Sequence, residues 1–334
     1  MRVNKHQEPG TESPDSNYYM KRFSYQIYKT CITEGSIQHG DKIIVSLSGG
    51  IDSMSLCCLL SDFREKIDLD FHWVHFNHGL RSESEHEAAF IRDFSLKKHI
   101  PVTILKTKEF CGQKGMQSKA RQWRYENLNR LMLELGFDKI ALGHHLNDLV
   151  ETQIWRMLRG GSLFSLNPIQ MERYPYIRPL IHTPKRDLEK YLNEIKQDWC
   201  EDASNSESDY TRNLIRNQLM PLMQDCAGGK LEEKLLALDH DARLLKAFFQ
   251  EQVPEKHYQC DSLQYSIVVS YPPLFACELI HRYLIYHGQT EINRANVELI
   301  FEQINSKRGN WSIDLKEGVQ ISGHHKIVTI RKTP

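Results

Sequence analysis

The chain has 334 residues, of which 40% are hydrophobic and 26% are charged, as in a globular protein with one large or two moderate cores. Lysine plus arginine and aspartate plus glutamate both number 43, so the formal net charge is zero and a globally basic nucleic-acid-binding surface is excluded. The eight cysteines show no C-x-x-C spacing, which indicates reduced thiols in a cytosolic protein.

Three segments are expected along the chain. The first twenty residues are polar and carry acids, unlike a secretory signal or a transit peptide, and residues 1–22 are predicted to form a flexible tail. A first domain is expected over 23–226 and a second over 230–334, with Cys226-Ala-Gly-Gly229 at the boundary. No apolar stretch approaches the ~18 residues of a membrane span, so we expect a cytoplasmic protein with no membrane contact.

Short apolar runs alternate with helical patterns in the first half of the chain. Strands are predicted at 43–47, 71–76, 102–106 and 139–143, and helices at 51–64, 83–98, 117–135 and 147–159. Repeated strand–helix units predict an α/β fold with a mostly parallel sheet and helices on both faces. Ligands of such sheets bind at the carboxyl ends of the strands. The polar clusters 48–53, 75–81 and 143–148 follow strand ends and should meet in one crevice.

The second half of the chain has a different pattern. Thr183-Pro184 predicts the start of a helix, with an N-cap residue followed by a proline in the first turn. Apolar residues at helical spacing predict another helix over 231–249, and alternation over 311–330 predicts small strands. Residues 230–334 are therefore expected to form a smaller α+β domain.

The segment SGGIDS, residues 48–53, joins the first predicted strand to the first predicted helix. Its glycines permit positive φ and close approach of a ligand, and the first amides of the helix point at the same place, which predicts a phosphate-binding loop. It lacks the lysine of a Walker A loop and the spacing of a dinucleotide fingerprint. Two glycines alone are more often an ordinary turn, but an aspartate beside phosphates indicates a bridging divalent cation.

This loop resembles the S-G-G-x-D-S signature of the PP-loop (N-type) ATP pyrophosphatases, which cleave ATP between the α and β phosphates. Further segments occur in the order found in the tRNA(Ile)-lysidine synthetase family. They are HFNHGLR (75–81), ARQWRY (120–125), GHHLNDLVET (143–152), RMLRGG (156–161), RPL (178–180) and W-C-E-D-A-S-N…Y-T-R-N-L-I-R (199–216). The resemblance implies a Rossmann-like PP-loop domain, similar to adenine nucleotide alpha hydrolases, followed by a C-terminal tRNA-binding module.

Members of this family are ATP-dependent carbon–nitrogen ligases that modify tRNA. They adenylate C2 of cytidine 34 in the CAU anticodon of the minor isoleucine tRNA, and the ε-amine of free L-lysine then displaces AMP to give lysidine. The resemblance implies this activity here, with ATP and Mg²⁺ as cofactors and with the minor tRNA(Ile) carrying CAU and L-lysine as partners. The sequence leaves the oligomeric state open, a homodimer included.

The resemblance also assigns roles to individual residues. Those expected to bind ATP are Ser48, Gly49, Gly50, Ile51, Asp52, Ser53, His75 and His144, and Asp52 is also the candidate Mg²⁺ ligand. Those expected to act in catalysis are Asp52, Arg124, Asp148, Glu151 and Arg216. The pair Asp148 and Glu151 lies i,i+3 on a helix, so both carboxylates share one face, and with Arg216 they are expected to bind the lysine substrate. Without the other motifs, acids at a helix start would be an ordinary solvated face.

A local basic surface is still compatible with zero net charge. Candidate tRNA contacts are Arg121, Arg156, Arg159, Arg186 and Arg212, although isolated arginines are more often surface ion pairs. Adjacent histidines such as His144 and His145 point in different directions, so a zinc site is not expected.

The sequence departs from the family pattern G-H-H-x-D-D-Q-x-E-T at two positions, where Asn147 and Leu149 replace aspartate and glutamine. Asn147 removes one charge from the expected pocket, which would alter metal binding, rate or substrate. Three alternatives therefore stay open: a divergent PP-loop tRNA-modifying enzyme with another nucleophile, an amidating ligase, and a non-catalytic nucleotide- or RNA-binding relative. A tRNA thiolation enzyme would normally carry C-x-x-C pairs, and an amidating ligase usually has a glutaminase domain.

Overall fold

The computed structural model describes residues 3–4, 14–64, 66–77, 84–107, 116–200, 210–289, 292–306, 309–315 and 318–332. The chain divides into two compact units, each made of two segments. The first unit comprises Met1–Thr152 with Ile169–Glu232, and the second comprises Gln153–Pro168 with Glu233–Pro334. None of the helices within the described residues is both long and apolar enough to cross a membrane.

The first unit is built from alternating strands and helices. Its elements in chain order are β1 (Val3–Asn4), α1 (Pro14–Thr33), β2 (Lys42–Ser46), α2 (Ile51–Arg64), β3 (Asp70–Asn77), α3 (Ser84–Lys98), β4 (Val102–Lys106), α4 (Met116–Leu135), β5 (Lys139–Ala141), α5 (Leu146–Leu158), β6 (Glu172–Arg173), β7 (Tyr176–Ile177), α6 (Lys185–Glu194), β8 (Trp199–Cys200), α7 (Tyr210–Leu214), a π-helical turn (Ile215–Leu219) and α8 (Met220–Cys226). Of these, α5 runs on into the second unit.

A six-stranded sheet forms the centre of the first unit, in the order β4-β3-β2-β5-β7-β6. The first five strands of this order are parallel, and β6 is antiparallel to β7. Strand β2 lies inside the sheet, and the side chains of Ile43, Ile44 and Val45 are fully buried on its two faces. The predicted α/β fold with a mostly parallel sheet and helices on both faces is confirmed. The carboxyl ends of β2, β3 and β5 therefore open on the same edge.

The predicted strands and helices of residues 43–159 are confirmed, with ends that differ by at most two residues. At the N-terminus the structure differs, because α1 begins at Pro14, inside the segment predicted as a tail. Phe23, Ile27 and Cys31 recur at helical spacing along α1 and are buried in the core of the first unit. The helix was not predicted because the first twenty residues are polar and the buried apolar residues begin only at Phe23.

The second unit combines helices with a small antiparallel sheet. Its elements are a 3₁₀ turn (Leu163–Leu166), α9 (Leu231–Gln252), a second 3₁₀ turn (Glu255–His257), β9 (Leu263–Gln264), α10 (Tyr265–Val269), α11 (Pro273–Tyr286), α12 (Arg294–Asn305), β10 (Trp311–Leu315), β11 (Val319–His324) and β12 (Ile327–Lys332). The first two residues of α9, Leu231 and Glu232, still belong to the first unit. The four strands pair in the order β10-β11-β12-β9. The helix predicted over 231–249 and the strands predicted over 311–330 are confirmed.

The second unit includes a segment that the sequence assigned to the first domain, residues 153–168. Phe164 packs against Phe249 with 5.5 Å between ring centroids. The buried Asn167 donates from Nδ2 to the Asp239 carboxylate at 2.9 Å, and Lys246 Nζ donates to the Asn167 carbonyl at 2.7 Å. These contacts join residues far apart in the chain, which is why the composition of the sequence does not reveal them.

Candidate active site

The segment Ser48–Ser53, called here the phosphate loop, connects β2 to the first turn of α2. The Ser53 hydroxyl accepts the backbone N–H groups of Ser48 and Gly49, each at 3.1 Å. It also lies 3.0 Å from the Ser48 hydroxyl and donates to the Gly50 carbonyl at 3.1 Å. One buried hydroxyl therefore closes the loop on the start of α2, where the first amides of that helix have no partner within the helix.

Two glycines allow other segments to approach this loop closely. Gly49 has φ +92°, in the left-handed region that favours glycine, and a Cβ there would lie 3.4 Å from Cys200 Sγ. Gly143 follows β5, and a Cβ on it would lie 3.3 Å from the Asp52 carbonyl. The polar clusters 48–53 and 143–148 therefore meet at the same sheet edge, as predicted.

Asp52 lies in the first turn of α2 and faces a histidine and a lysine. Its Oδ1 lies 3.4 Å from His145 Nε2, and its Oδ2 lies 3.8 Å from Lys185 Nζ. Burial alone would raise the pKa of Asp52, but the contact with His145 and the charges of His145, Lys185 and Arg216 outweigh it and lower this pKa. The Asp52 carboxylate is therefore ionised in the folded protein at neutral pH.

The start of α5 carries the two carboxylates predicted from the sequence. Asp148 Oδ2 accepts the backbone N–H of His145 at 3.0 Å, so this side chain caps the helix while 26% of it remains exposed. Glu151 is buried, and its Oε2 accepts from Arg216 Nε at 2.9 Å and Nη2 at 2.7 Å. Arg212 Nε lies 3.9 Å from Glu151 Oε1. Glu151 and Arg216, which were each expected to bind lysine, form a charge-assisted pair with one another.

Two histidines beside the loop are held neutral by burial. His75 donates from Nδ1 to the Leu47 carbonyl at 2.9 Å, and its buried Nε2 has no hydrogen-bond partner among the described residues. Burial lowers the pKa of His75, against the opposing effect of this hydrogen bond. Burial also lowers the pKa of His144 to about 4, with the Asp148 carboxylate opposing the shift. Both imidazoles therefore offer an unprotonated nitrogen at neutral pH.

Asn147, which departs from the family pattern, contacts the start of α6 and Glu232. Its Oδ1 accepts the backbone N–H of Lys185 at 2.9 Å. Its Nδ2 lies 3.5 Å from Glu232 Oε1. Leu149, the second departure, is fully buried.

Several predicted residues take no part in the contacts described so far. Arg124, Arg121 and Arg186 are exposed, on α4 and α6. Arg156 and Arg159 belong to the second unit, where Arg156 donates to the Ser165 carbonyl at 3.0 Å and Arg159 covers the Trp155 ring. Residues 78–83 and 201–209 lie outside the described residues, and with them parts of two sequence motifs.

Sequence reasoning did not predict a contact of Lys185 or His145 with Asp52. The structure places both beside Asp52, and His145, rather than its neighbour His144, reaches the aspartate with its ring. The only sequence signal for Lys185 was its position directly after Pro184, which marks the start of a helix.

A metal site made by protein side chains alone is not found, since no cluster of three or more His, Cys, Asp or Glu residues with metal-binding geometry occurs in the part of the chain that is described. Mg²⁺ in nucleotide sites is held by one or two carboxylates together with phosphates. The buried Asp52 Oδ1, which has no hydrogen-bond partner in the part of the chain that the structure describes, is one such carboxylate oxygen. The residues present therefore fit a nucleotide-bound Mg²⁺.

Comparisons with known proteins agree with this geometry. A family profile described as a PP-loop domain matches residues 20–223. A tRNA(Ile)-lysidine synthase of Pseudothermotoga lettingae is 29% identical over 328 residues, which cover 94% of this chain and 71% of that one. The enzyme of the same name from Enterococcus faecalis is 30% identical over 234 residues, 69% of this chain and 50% of that one. The chain thus spans from half to about seven tenths of these relatives.

A solved structure shares the fold. A U34-tRNA thiolase from Methanococcus maripaludis superposes with a TM-score of 0.58 at 15% identity, over 73% of this chain and 88% of that chain. At 15% identity, this similarity is evidence for a shared fold and not for a shared function.

Proposed function

The chain belongs to the PP-loop domain family, and on this premise we propose that it is a tRNA(Ile)-lysidine synthetase. It would use ATP to adenylate C2 of cytidine 34 in the CAU anticodon of the minor isoleucine tRNA, and free L-lysine would then displace AMP. The observation that carries the proposal is the meeting of the phosphate loop with the acidic start of α5, through the 3.4 Å contact of Asp52 with His145. One site thereby holds a phosphate cradle and a carboxylate pair for an amine.

The phosphate loop would hold the β and γ phosphates of ATP. The first amides of α2 would donate to phosphate oxygens, and Gly49, with φ +92°, allows the left-handed backbone turn that precedes them. Lys185, 3.8 Å from Asp52, would add a positive charge beside the leaving pyrophosphate. Mg²⁺ bound to the phosphates would neutralise the charge that develops during adenylation, with Asp52 as its protein ligand.

The start of α5 would receive the lysine. An amine nucleophile needs anions that bind its ammonium form and a group that accepts a proton. Asp148 is the more exposed of the two carboxylates and would meet the ammonium, while the buried Glu151 holds Arg216 in place. The Arg216 side chain is 44% exposed, so its guanidinium can also bind the carboxylate of the substrate.

The RNA would be held by basic side chains around the site and by the second unit. Arg121, Arg186 and Arg212 are exposed in the first unit and would contact RNA phosphates. The family resemblance assigns the body of the tRNA to the C-terminal module. Because tRNA, lysine and ATP are all present in the cytoplasm, the reaction would take place there.

The proposal is tested by following labelled L-lysine into RNA. The purified full chain is incubated with ATP, Mg²⁺ and an isoleucine tRNA that carries CAU, and AMP, pyrophosphate and RNA-bound lysine are quantified. We expect stoichiometric AMP and RNA-bound lysine, dependent on all components. The control RNA has the anticodon changed from CAU to UAU and should accept no lysine.

Two outcomes would contradict the proposal in different ways. AMP release that requires another amine would keep the adenylation chemistry and assign another nucleophile to the enzyme. This is the specific alternative, because Asn147 stands where the family pattern has an aspartate. Tight binding of ATP and tRNA with no AMP release would identify a non-catalytic relative.

A further inference from the structure

Two helices of the first unit begin side by side and exchange hydrogen bonds at their first residues. The Leu146 N–H, at the start of α5, donates to the Thr183 carbonyl at 3.0 Å. In return the Lys185 N–H, at the start of α6, donates to Asn147 Oδ1 at 2.9 Å. Pro184 occupies the N-cap position of α6 and offers no side-chain acceptor. Asn147 therefore supplies from α5 the cap that the local sequence of α6 lacks.

The other end of the Asn147 amide faces a carboxylate. A backbone N–H can only donate, so the atom next to Lys185 is the amide oxygen, and the amide nitrogen must point toward Glu232. Nδ2 lies 3.5 Å from Glu232 Oε1, and Glu232 Oε2 accepts from Gln224 Nε2 at 2.8 Å. An asparagine fits this position because it accepts on one side, donates on the other and carries no charge.

An aspartate at this position would change the electrostatics. One of its oxygens would still cap α6, but the other would stand about as far from Glu232 Oε1 as Nδ2 does now, 3.5 Å. Two carboxylates at such a distance repel each other, and one of them takes up a proton more readily than usual. A shift of α6 away from Glu232 would relieve this repulsion.

Movement of α6 would matter because of the side chain at its first position. Lys185 Nζ lies 3.8 Å from Asp52 Oδ2, at the phosphate end of the site. We infer that Asn147 is a positioning residue that fixes Lys185 toward the bound triphosphate, and that this chain requires an uncharged amide there because Glu232 is its partner. The inference rests on one part of the proposed function, the binding of ATP. It does not depend on which amine or RNA the enzyme uses.

The test compares four full-length proteins: wild type, Asn147→Asp, Glu232→Gln and the double variant. ATP affinity is measured by titration calorimetry with Mg²⁺, and KM is measured separately for ATP and for lysine. We expect Asn147→Asp to weaken ATP binding at least tenfold and to raise KM for ATP, with KM for lysine changed less than twofold. Glu232→Gln should restore most of the lost affinity in the double variant, and alone it should cost less than Asn147→Asp.

The pH dependence of stability gives a readout that does not require activity. In Asn147→Asp the carboxylate pair has a raised pKa in the folded state, so the folded protein binds more protons than the unfolded chain. The Tm of this variant relative to wild type should therefore rise as the pH falls from 8 toward 5. The double variant, with a single carboxylate, should show no such rise.

The inference is overturned if Asn147→Asp binds ATP as wild type does, or if Glu232→Gln fails to restore binding. Should Asn147→Asp not fold, Asn147→Ala removes both contacts without adding charge, and it is expected to weaken ATP binding severalfold. Wild-type affinity in Asn147→Ala would also overturn the inference. A wild-type protein that binds ATP but forms no lysidine contradicts only the proposed function.

Discussion

The phosphate loop and the start of α5 are held together in opposite ways. The side-chain hydrogen bonds of the loop join residues two to five positions apart, with Ser53 at their centre, and one backbone bond reaches it from a distant segment, from the Cys200 N–H to the Gly49 carbonyl at 2.8 Å. At the start of α5, Glu151 pairs with Arg216 65 positions away, and Asn147 contacts Lys185 and Glu232, 38 and 85 positions away. The loop is thus a local structure that its sequence specifies, whereas the acidic helix start depends on the rest of the unit.

This difference predicts how the two regions respond to change. Substitutions in the loop should affect ATP chemistry directly and leave the remainder of the unit intact. Substitution of Glu151 should affect stability and substrate binding together, because its side chain also joins a distant segment, whereas Asp148 contacts only the start of its own helix in the bonds described above.

The largest effect is expected for Asp52→Ala, which removes the only carboxylate in the phosphate loop. We expect AMP formation to fall at least ~100-fold, because stabilisation of developing charge is usually the largest catalytic contribution. The binding of tRNA, measured by filter binding, should change little. The matched control is Asp68→Ala, which changes an exposed aspartate of the same unit. Equal rates of AMP formation in the two variants would show that Asp52 has no catalytic role.

A second effect concerns acid stability, through the low pKa of His144. Burial lowers this pKa to about 4, so the unfolded chain binds more protons than the folded protein between pH 6.5 and about 4. Stability should therefore fall as the pH decreases through this window, by up to ~3 kcal/mol. His144→Gln should flatten the curve in denaturant titrations, and the exposed His86→Gln should leave it unchanged. Identical curves for the His144 variant and wild type would contradict this cause.

A third comparison separates the two carboxylates of α5. Asp148→Asn and Glu151→Gln should each raise KM for lysine about tenfold, since a hydrogen bond to a charged group contributes roughly 1.5–3 kcal/mol. Only Glu151→Gln should also lower Tm, because Glu151 is buried in a pair with Arg216. Glu189→Gln, at an exposed position of α6, is the control for charge removal. An equal loss of Tm in both α5 variants would show that Asp148 is also structural.

The smallest effect is expected from a pair of glycine substitutions. Gly49 and Gly40 have φ of +92° and +84°, so alanine at either position should cost about 1 kcal/mol of stability. Gly40 has open space around its Cβ position, whereas Gly49 lies in the phosphate loop against Cys200. Only Gly49→Ala should therefore weaken ATP binding, by titration calorimetry. A similar loss in Gly40→Ala would assign the effect to backbone strain alone.

Sequence patterns predicted the parts of the fold that short stretches determine. The β2 run, the phosphate loop and α2 were predicted together because apolar periodicity and glycine placement are local properties. The i,i+3 pair of Asp148 and Glu151 also follows from helical geometry alone.

The remainder of the site depends on contacts between distant residues. Lys185 joins the site because α6 begins beside α5, and nothing in the sequence around position 185 indicates this neighbour. The predicted cap at Thr183 illustrates the same limit, since Pro184 occupies the N-cap position and the acceptor comes from Asn147. His145 rather than His144 faces Asp52 because the direction of each ring is set by the turn after β5.

The two-segment composition of the second unit has a consequence for synthesis of the chain. Phe164 leaves the ribosome well before Phe249 and Phe275, the aromatic side chains on which it packs. At ordinary elongation rates of roughly 5–20 residues per second, this segment waits several seconds for its core to exist. A nascent chain that stalls in this interval exposes an apolar side chain and unpaired amides, which makes it a substrate for chaperones and a point of entry for aggregation.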